Sequence, residues 1–300
     1  MVEMYGTEYE PGEICERGYA FFSRAWKEME FHCVKLEEVC RQKDAEFLGI
    51  LNDIKYGRNL QNVIAYLESN QSSDLMEEAP YLVGTNAKAD KINQAHMRAL
   101  DEKTEKKFWA IIEGDVTYED IKNISFAKQS LVVNVGAKVM LTANDANGEY
   151  VNGTMGTIID ISKERGDATC IQVLTDKGKK VDVYRYEREI ERQDIEESKE
   201  KNKNGETVIV KKIVRKIVGS FKQFPIKIAW AMSIHKSQGQ TFGQVNIDPR
   251  CWDSGQFYVA VSRAEAVAGI HFMAPIMKQY IRTLSDEVIK ILRESLYSII

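Results

Sequence analysis

No uninterrupted apolar run in this sequence approaches the roughly 20 residues needed to cross a bilayer, so a soluble chain with no membrane partner is expected. The opening stretch, MVEMYGTEYEPGEICERG, is acidic and lacks the apolar core of a secretory signal. Cysteine is scarce: Cys15, Cys33, Cys40, Cys170 and Cys251 are odd in number and form no C-x-x-C pair. That pattern excludes a disulfide framework and favours a reduced, cytoplasmic setting. The four histidines, His32, His96, His235 and His271, are scattered without zinc-site spacing, so no metal site is expected. Neither sign of charge dominates, with 41 basic against 45 acidic residues and a formal net charge of −4. This is not the strongly basic balance of a histone-like protein, and any nucleic-acid contact must come from locally concentrated basic groups. The phosphate loop G-x-x-x-x-G-K-[ST] is also missing. The one Gly-Lys pair, Gly178-Lys179, has the wrong surroundings. An aspartate-rich strand end that would hold Mg²⁺ is not recognisable either. Finally, Ser233, Ser237 and His235 lack the G-x-S-x-G elbow of a hydrolase.

What the sequence does contain is a globular pattern. Its 300 residues are 44% hydrophobic and 29% charged, enough apolar surface for a sizeable core. The length implies two domains, or one large domain carrying an insertion. Residues 1–17 read as an acidic lead-in, and CVKLEEV at 33–39 as a short strand. In 44–56, DAEFLGILNDIKY, the residues Phe47, Ile50, Leu51 and Ile54 fall on one helical face, with Asp44 placed to cap the helix and Gly57 to end it. A second helix is expected at 59–69. Next, YLVGT reads as a strand, Asn86 as a turn and AKADKINQAHMRAL as a helix, the unit of an α/β fold.

The character changes near residue 135. GAKVMLT, TMGTIIDI, TCIQVLTD and KKVDVYRY are short β-rich segments separated by Gly, Asn and Asp. Charge is dense from 185 to 203, Asn204-Gly205 suits a hairpin turn, and ETVIVKKIVRKIVGSF is rich in β-branched residues. Residues 136–224 therefore read as a small all-β module inserted into an α/β domain. After Pro225, IAWAMSIHKSQG reads as a helix ending at Gly239, QVNID and IHFMA as strands, and GQFYVAVSRA as a helix start. The tail, 276–298, has the apolar spacing of an amphipathic helix. No internal repeat is evident.

Two segments are the most specific: AWAMSIHKSQGQT at 229–241 and GQFYVAVSR at 255–263. Together they resemble the late motifs of superfamily 1 DNA helicases, closest to the RecD, Dda and Pif-type group that moves 5′ to 3′. Other segments fall into the same order. Arg41-Gln42 in VCRQKDAEFLGILNDIKYG resembles motif IV, and VGTNAKADKIN resembles the strand and helix around a Thr-Asn DNA contact. VGAKVMLTANDANGEYVNGTMGTI resembles the start of a small SH3-like barrel, and GYAFFSRAWKEM the segment after motif III. The resemblance spans most of 18–275. It implies an α/β fold with a RecA-like helicase domain 2A in two pieces, 18–135 and 225–275. The SH3-like 2B module would lie at 136–224 and a helix at 276–300. The N-terminal RecA-like domain with its Walker A and B motifs would be lacking.

The resemblance also implies roles. Arg263 and Arg41 would be cationic groups acting on the phosphates of ATP, a task suited to a planar guanidinium that donates two parallel hydrogen bonds. Gln42, Gly239, Gln240, Gln256 and Tyr258 would lie at the nucleotide. Thr85, Asn86, Asn152, Gly153, His235, Lys236, Ser237 and Gln238 would contact single-stranded DNA, mostly through its backbone and without reading sequence. ATP and Mg²⁺ would bind only with the N-terminal RecA-like domain, supplied in cis or in trans; the isolated chain would hold no cofactor. Each residue has a plainer alternative. Arg263 could form a surface salt bridge, His235 could be a satisfied helical histidine, and Asn152-Gly153 an ordinary hairpin turn. Thr85 and Asn86 favour helix N-caps in any case. The chain could also be a catalytically inactive single-strand-binding module. Lys211 and Arg215 point to one face of a strand while Lys212 and Lys216 point to the other. That alternation leaves open whether this hairpin is merely solvated or touches DNA.

Overall fold

Asp44 starts the first helix as expected: its carboxylate accepts from the amides of Glu46 and Phe47, as an N-cap does. The helix, α1 (Ala45–Tyr56), buries Phe47, Ile50, Leu51 and Ile54 on one face, and Gly57 closes it at φ +67°. In this computed structural model Met29 and residues 41–122, 124, 126, 128–163, 169–201 and 207–283 are described. They fall, apart from Met29, in one of the two units into which the chain divides, Arg41–Thr283. The expectations for 1–17, for a strand at 33–39, for the segment GYAFFSRAWKEM up to residue 28 and for the Asn204-Gly205 turn lie outside the described residues.

Helix α2 (Leu60–Asn70) buries Val63 and Leu67. Strand β1 (Tyr81–Val83) is buried throughout, and α3 (Asn86–Arg98) follows it directly, with Thr85 as N-cap. Asn86 is thus the first helical residue and not a separate turn. A run of antiparallel strands follows: β2 (Lys106–Trp109), β3 (Ile111–Gly114), the short helix α4 (Tyr118–Ile121), then β4 (Ser130–Val133) and β5 (Lys138–Leu141). The run continues with β6 (Met155–Lys163), β7 (Thr169–Thr175), β8 (Lys180–Val183), β9 (Tyr186–Lys201), β10 (Thr207–Gln223) and β11 (Ile226–Ile228). The chain then returns to α/β character with β12 (Ala231–Ser233), β13 (Val245–Ile247), α5 (Gln256–Val261) and β14 (Ile270–Phe272).

Two layers of organisation result. A parallel four-stranded sheet in the order β12-β1-β13-β14 draws its strands from both ends of the described chain. Its core unites Phe47, Leu51 and Leu67 with Ile247, Phe257 and Phe272. Between those ends lies a five-stranded antiparallel sheet, β11-β5-β6-β7-β8, around a second core that includes Val139, Ile158, Val173 and Phe224. The antiparallel part gathers residues from well before 136: β3 pairs with β10, and Leu131 and Val133 of β4 join the second core. Cross-strand pairing and not composition sets that extent. Residues 229–234 tie the layers together, since Trp230 packs into the second core while Ala229, Met232 and Ile234 pack into the first. His96 of α3 stacks on Trp230 with ring centroids 5.2 Å apart.

The helix expected over IAWAMSIHKSQG is not formed. Ala231–Ser233 is a fully buried strand, and Ile234–Ser237 is a single 3-10 turn. A short apolar run cannot be assigned to helix or buried strand by periodicity alone; pairing of Tyr81–Val83 with Ala231–Ser233 decides it. The tail helix expected from 276 is likewise absent as far as 283, where only Lys278–Tyr280 makes a 3-10 turn; the rest lies outside the described residues. Among the described residues no helix is long and apolar enough to cross a membrane.

The β9–β10 hairpin answers its own charge. Lys211 pairs with Glu197 at 2.9 Å, Arg215 with Glu191 at 3.8 Å, and Lys216 with both Asp194 at 2.8 Å and Glu196 at 3.2 Å. Such exposed pairs contribute little individually. They do leave these three cations matched by the neighbouring strand, which favours the solvated reading of the hairpin. Its root is fastened where Arg192 bridges Asp115 and Asp120.

Candidate functional site

Strands β12, β1 and β13 lie side by side and parallel, so their carboxyl ends emerge at one edge. In open α/β sheets that edge is where ligands bind. Three loops meet there: Gly84-Thr85 after β1, residues 234–241 after β12 and residues 248–255 after β13. The Val83↔Ser233 register brings the first two next to each other.

The residues expected to contact DNA divide into two groups at this edge. Thr85, Asn86, His235, Lys236 and Gln238 are exposed. The Thr85 hydroxyl accepts from the Lys88 amide at 3.3 Å, so it caps α3. His235 stands 3.6 Å from Asp253 on the third loop. Ser237 belongs to the other group: it is fully buried, and its hydroxyl donates to the Ile234 carbonyl at 2.7 Å. Its side chain fastens the 3-10 turn from within. The Asn152-Gly153 turn comes from the antiparallel layer. The Asn152 amide donates to the Asn144 side chain at 2.8 Å. A Cβ placed on Gly153, at φ +92°, would fall 2.0 Å from Nε2 of Gln240. This turn therefore sits against the end of the 234–241 loop, a proximity between residues almost ninety positions apart. Gly239 has φ +88° with open space around it.

The arginines converge on one residue, Ser262. Nη1 of Arg41 donates to the Ser262 carbonyl at 2.8 Å and its Nε to the Thr241 hydroxyl at 2.9 Å. Arg263 turns back on its own helix end, with Nε donating to Val259 at 2.9 Å and Nη2 to the Ser262 hydroxyl at 2.9 Å. Among the described residues no carboxylate pairs with either guanidinium. Burial first, and then the positive charge of Arg41, pull Arg263 below the ordinary arginine range. Two adjacent cations with no carboxylate partner among the described residues form a local positive field suited to an anion. Tyr258 is part-buried beside them.

Two glutamines expected at the nucleotide are buried in this chain. Gln42 is buried, and its amide nitrogen donates to the carbonyls of Ser262 at 3.0 Å and Ala264 at 2.8 Å. Gln256 is also buried: its nitrogen donates to the Gly84 carbonyl at 3.0 Å, and its oxygen accepts from the Trp252 amide at 3.1 Å. Both act by holding loops, since buried backbone groups require partners. Their motif positions do not distinguish that duty from ligand contact.

Other residues of the edge escaped the sequence reading. Asp248, at the end of β13, is buried and paired with Lys88 and Arg250. Burial raises its carboxyl, but hydrogen bonds from Arg250 and Lys88 outweigh that effect and hold it below the usual range. Trp252 is 56% exposed in the third loop. Lys227 of β11 is held below the ordinary lysine range by burial and then by the charges of Lys236 and Lys128. Single residues outside any repeat or periodic pattern carry no signal that would have exposed them. Among the described residues no three His, Cys, Asp or Glu side chains cluster to hold a metal ion.

No family model matches the chain. The ATP-dependent DNA helicase Pif1 of Bdellovibrio bacteriovorus is 30% identical over 261 residues, which cover 86% of this chain and 54% of the relative. A crystal structure of Pif1 from Bacteroides sp in complex with ADP-AlF4 is 27% identical with a TM-score of 0.67, covering 89% of this chain and 57% of that one. Bacteroides Pif1 bound to ssDNA is 27% identical with a TM-score of 0.62, again covering 89% and 57%. The chain spans little more than half the length of these proteins.

Proposed function

The homologues of this chain are superfamily 1 DNA helicases of the Pif1 family, and from that premise we propose that it is the C-terminal portion of an ATP-dependent 5′-to-3′ DNA helicase. In this reading the parallel sheet is the second RecA-like domain and the antiparallel layer its inserted SH3-like module. The ATP site is shared with an N-terminal RecA-like domain, in cis or in trans, which brings the phosphate loop and the Mg²⁺ ligands. Arg263 and Arg41 bind terminal phosphate oxygens and stabilise the charge that develops during transfer. Thr85, Asn86, His235, Lys236, Gln238 and the Asn152-Gly153 turn line the path of single-stranded DNA. Gln240 and Gly239 join that path to the nucleotide side, and Gln42, Gln256 and Ser237 position the loops. The setting is cytoplasmic.

One observation carries the reading: the guanidiniums of Arg41 and Arg263 meet at Ser262 with no carboxylate between them among the described residues. Structures of Pif1 with ADP-AlF4 and with ssDNA support it by analogy. A second reading, a single-strand-binding module with no motor role, is favoured by the lack of any G-x-x-x-x-G-K-[ST] in the sequence.

Both readings require single-strand binding, which anisotropy of a labelled oligo-dT measures directly. Affinity should fall steeply with salt, by a logarithmic slope of about 0.7 per phosphate contact. Lys236→Ala should reduce that slope by about one contact's share. Thr85→Ala should weaken binding and also cost about 1 kcal/mol of stability through the lost cap. Absence of binding at low salt would overturn both readings. ATP hydrolysis, gained on adding an N-terminal RecA-like domain, separates the motor from the module.

A further inference from the structure

Among the charged and polar side chains of the strand-end edge stands one large apolar one, Trp252. Its side chain is 56% exposed among polar neighbours, Thr85 and His235 on the adjoining loops and Asp253 beside it. An indole left in water forgoes the stabilisation that burial of so large an apolar surface contributes. The loop that presents it is nevertheless fixed. The Trp252 amide donates to Gln256 at 3.1 Å, and its carbonyl accepts from Arg282 at 2.8 Å. The pyrrole side of the ring rests on Gly84, where an added Cβ would lie 3.5 Å from Cδ1 and 3.6 Å from Nε1. Gln256 also donates to the Gly84 carbonyl at 3.0 Å. One buried carboxamide thus holds both the ring's loop and the floor beneath it.

A flat apolar surface held on a pinned backbone loses little further conformational freedom when a planar partner lies against it. Every nucleobase presents such a plane, and stacking tolerates any base sequence. The backbone of the same strand would meet the cation Lys236 and the amino end of α3, both at the same edge. We propose that Trp252 is a base-stacking residue of the single-strand site, taking one base of the nucleic acid against its exposed ring. This inference rests on the single-strand reading above and adds to it an apolar, salt-independent contribution that the basic and polar residues do not supply.

The test uses the full chain and its Trp252→Ala and Trp252→Phe variants, titrated with labelled oligo-dT at several salt concentrations. Stacking predicts that Trp252→Ala weakens binding roughly 5- to 150-fold at every salt, with the salt slope unchanged. Trp252→Phe should keep most of the affinity. Oligo-dT should quench indole emission in the wild type and much less in Trp252→Phe, and an abasic oligonucleotide should bind wild type and Trp252→Ala equally. If Trp252→Ala binds as tightly as wild type while Lys236→Ala is weakened, stacking is refuted and the single-strand reading survives. If the loss in Trp252→Ala appears equally on abasic DNA, the side chain acts on the backbone or the loop and the proposal fails. A wild type that binds no oligonucleotide at low salt overturns the reading and this inference together.

Discussion

Replacing Arg263 with alanine is expected to lower DNA-stimulated ATP hydrolysis by about a thousandfold or more once a phosphate-loop RecA-like domain is supplied, in the same polypeptide or in trans. That is the range in which removal of a phosphate-directed arginine acts. The structure explains why the loss should fall on turnover. Among the described residues the Arg263 side chain bonds only Val259 and Ser262 at its own helix end, so its removal should cost stability no more than about 1–2 kcal/mol. The melting temperature should stay close to wild type while kcat collapses. Arg263→Lys keeps a charge and loses the planar fork, and should recover little. Arg41→Ala should also reduce turnover, with a larger effect on stability, because Arg41 links Thr241 and Ser262 across the site. A steady-state ATPase assay over a titration of oligo-dT checks each of these. Hydrolysis by this chain alone that Arg263→Ala abolishes would sink the shared-site proposal, as would an unchanged kcat in the supplemented variant.

Phe257→Ala should produce the largest loss of stability. Phe257 is fully buried on α5 and lies parallel to Phe272 with ring centroids 6.0 Å apart. Truncating a buried phenylalanine costs about 3–5 kcal/mol, from lost transfer free energy and from the cavity left behind. In a unit of this size each kcal/mol moves the midpoint by about 2–4 °C, so a fall of roughly 6–20 °C is expected by calorimetry. Phe257 lies between Gln256 and Tyr258 in sequence, and α5 leads directly to Ser262 and Arg263. Loosening it should therefore weaken DNA binding and turnover together. Arg263→Ala should leave DNA binding intact. A midpoint within 2 °C of wild type would show that α5 is not packed as described. Comparison of the two variants separates a residue that acts on phosphate from one that holds the helix in place.

Much of the local structure was legible before any coordinates. Helix α1 needed only the spacing of Phe47, Ile50, Leu51 and Ile54, with Asp44 before it and Gly57 after it. Strands β5 to β8 announced themselves through β-rich composition and intervening Gly, Asn and Asp. The order of the motif-like segments pointed to a helicase relative, and the homologues agree. What failed was the stretch IAWAMSIHKSQG, residues 228–239. Ala231–Ser233 is buried on both sides of a parallel sheet, which removes the two-residue alternation that identifies a strand. The apolar run then looked like a helix until β1 supplied its partner.

The candidate site shows the same division more sharply. Sequence by itself determined the caps, the amphipathic helices, the missing phosphate loop and the cluster of polar residues in two short segments. It did not determine which of those residues face a ligand. His235 and Ser237 are two positions apart, yet one is exposed and the other bonds inward to Ile234. Gln42 and Gln256 read as nucleotide contacts, and packing set the carbonyls of Ser262, Ala264 and Gly84 opposite their amides. The approach of Arg41 to Ser262 and of Gly153 to Gln240 joins positions far apart in the chain. Local rules act on neighbours a few residues apart. Buried hydrogen-bonding groups take whichever partner the packed layers bring to them, and only the tertiary structure decides which that is.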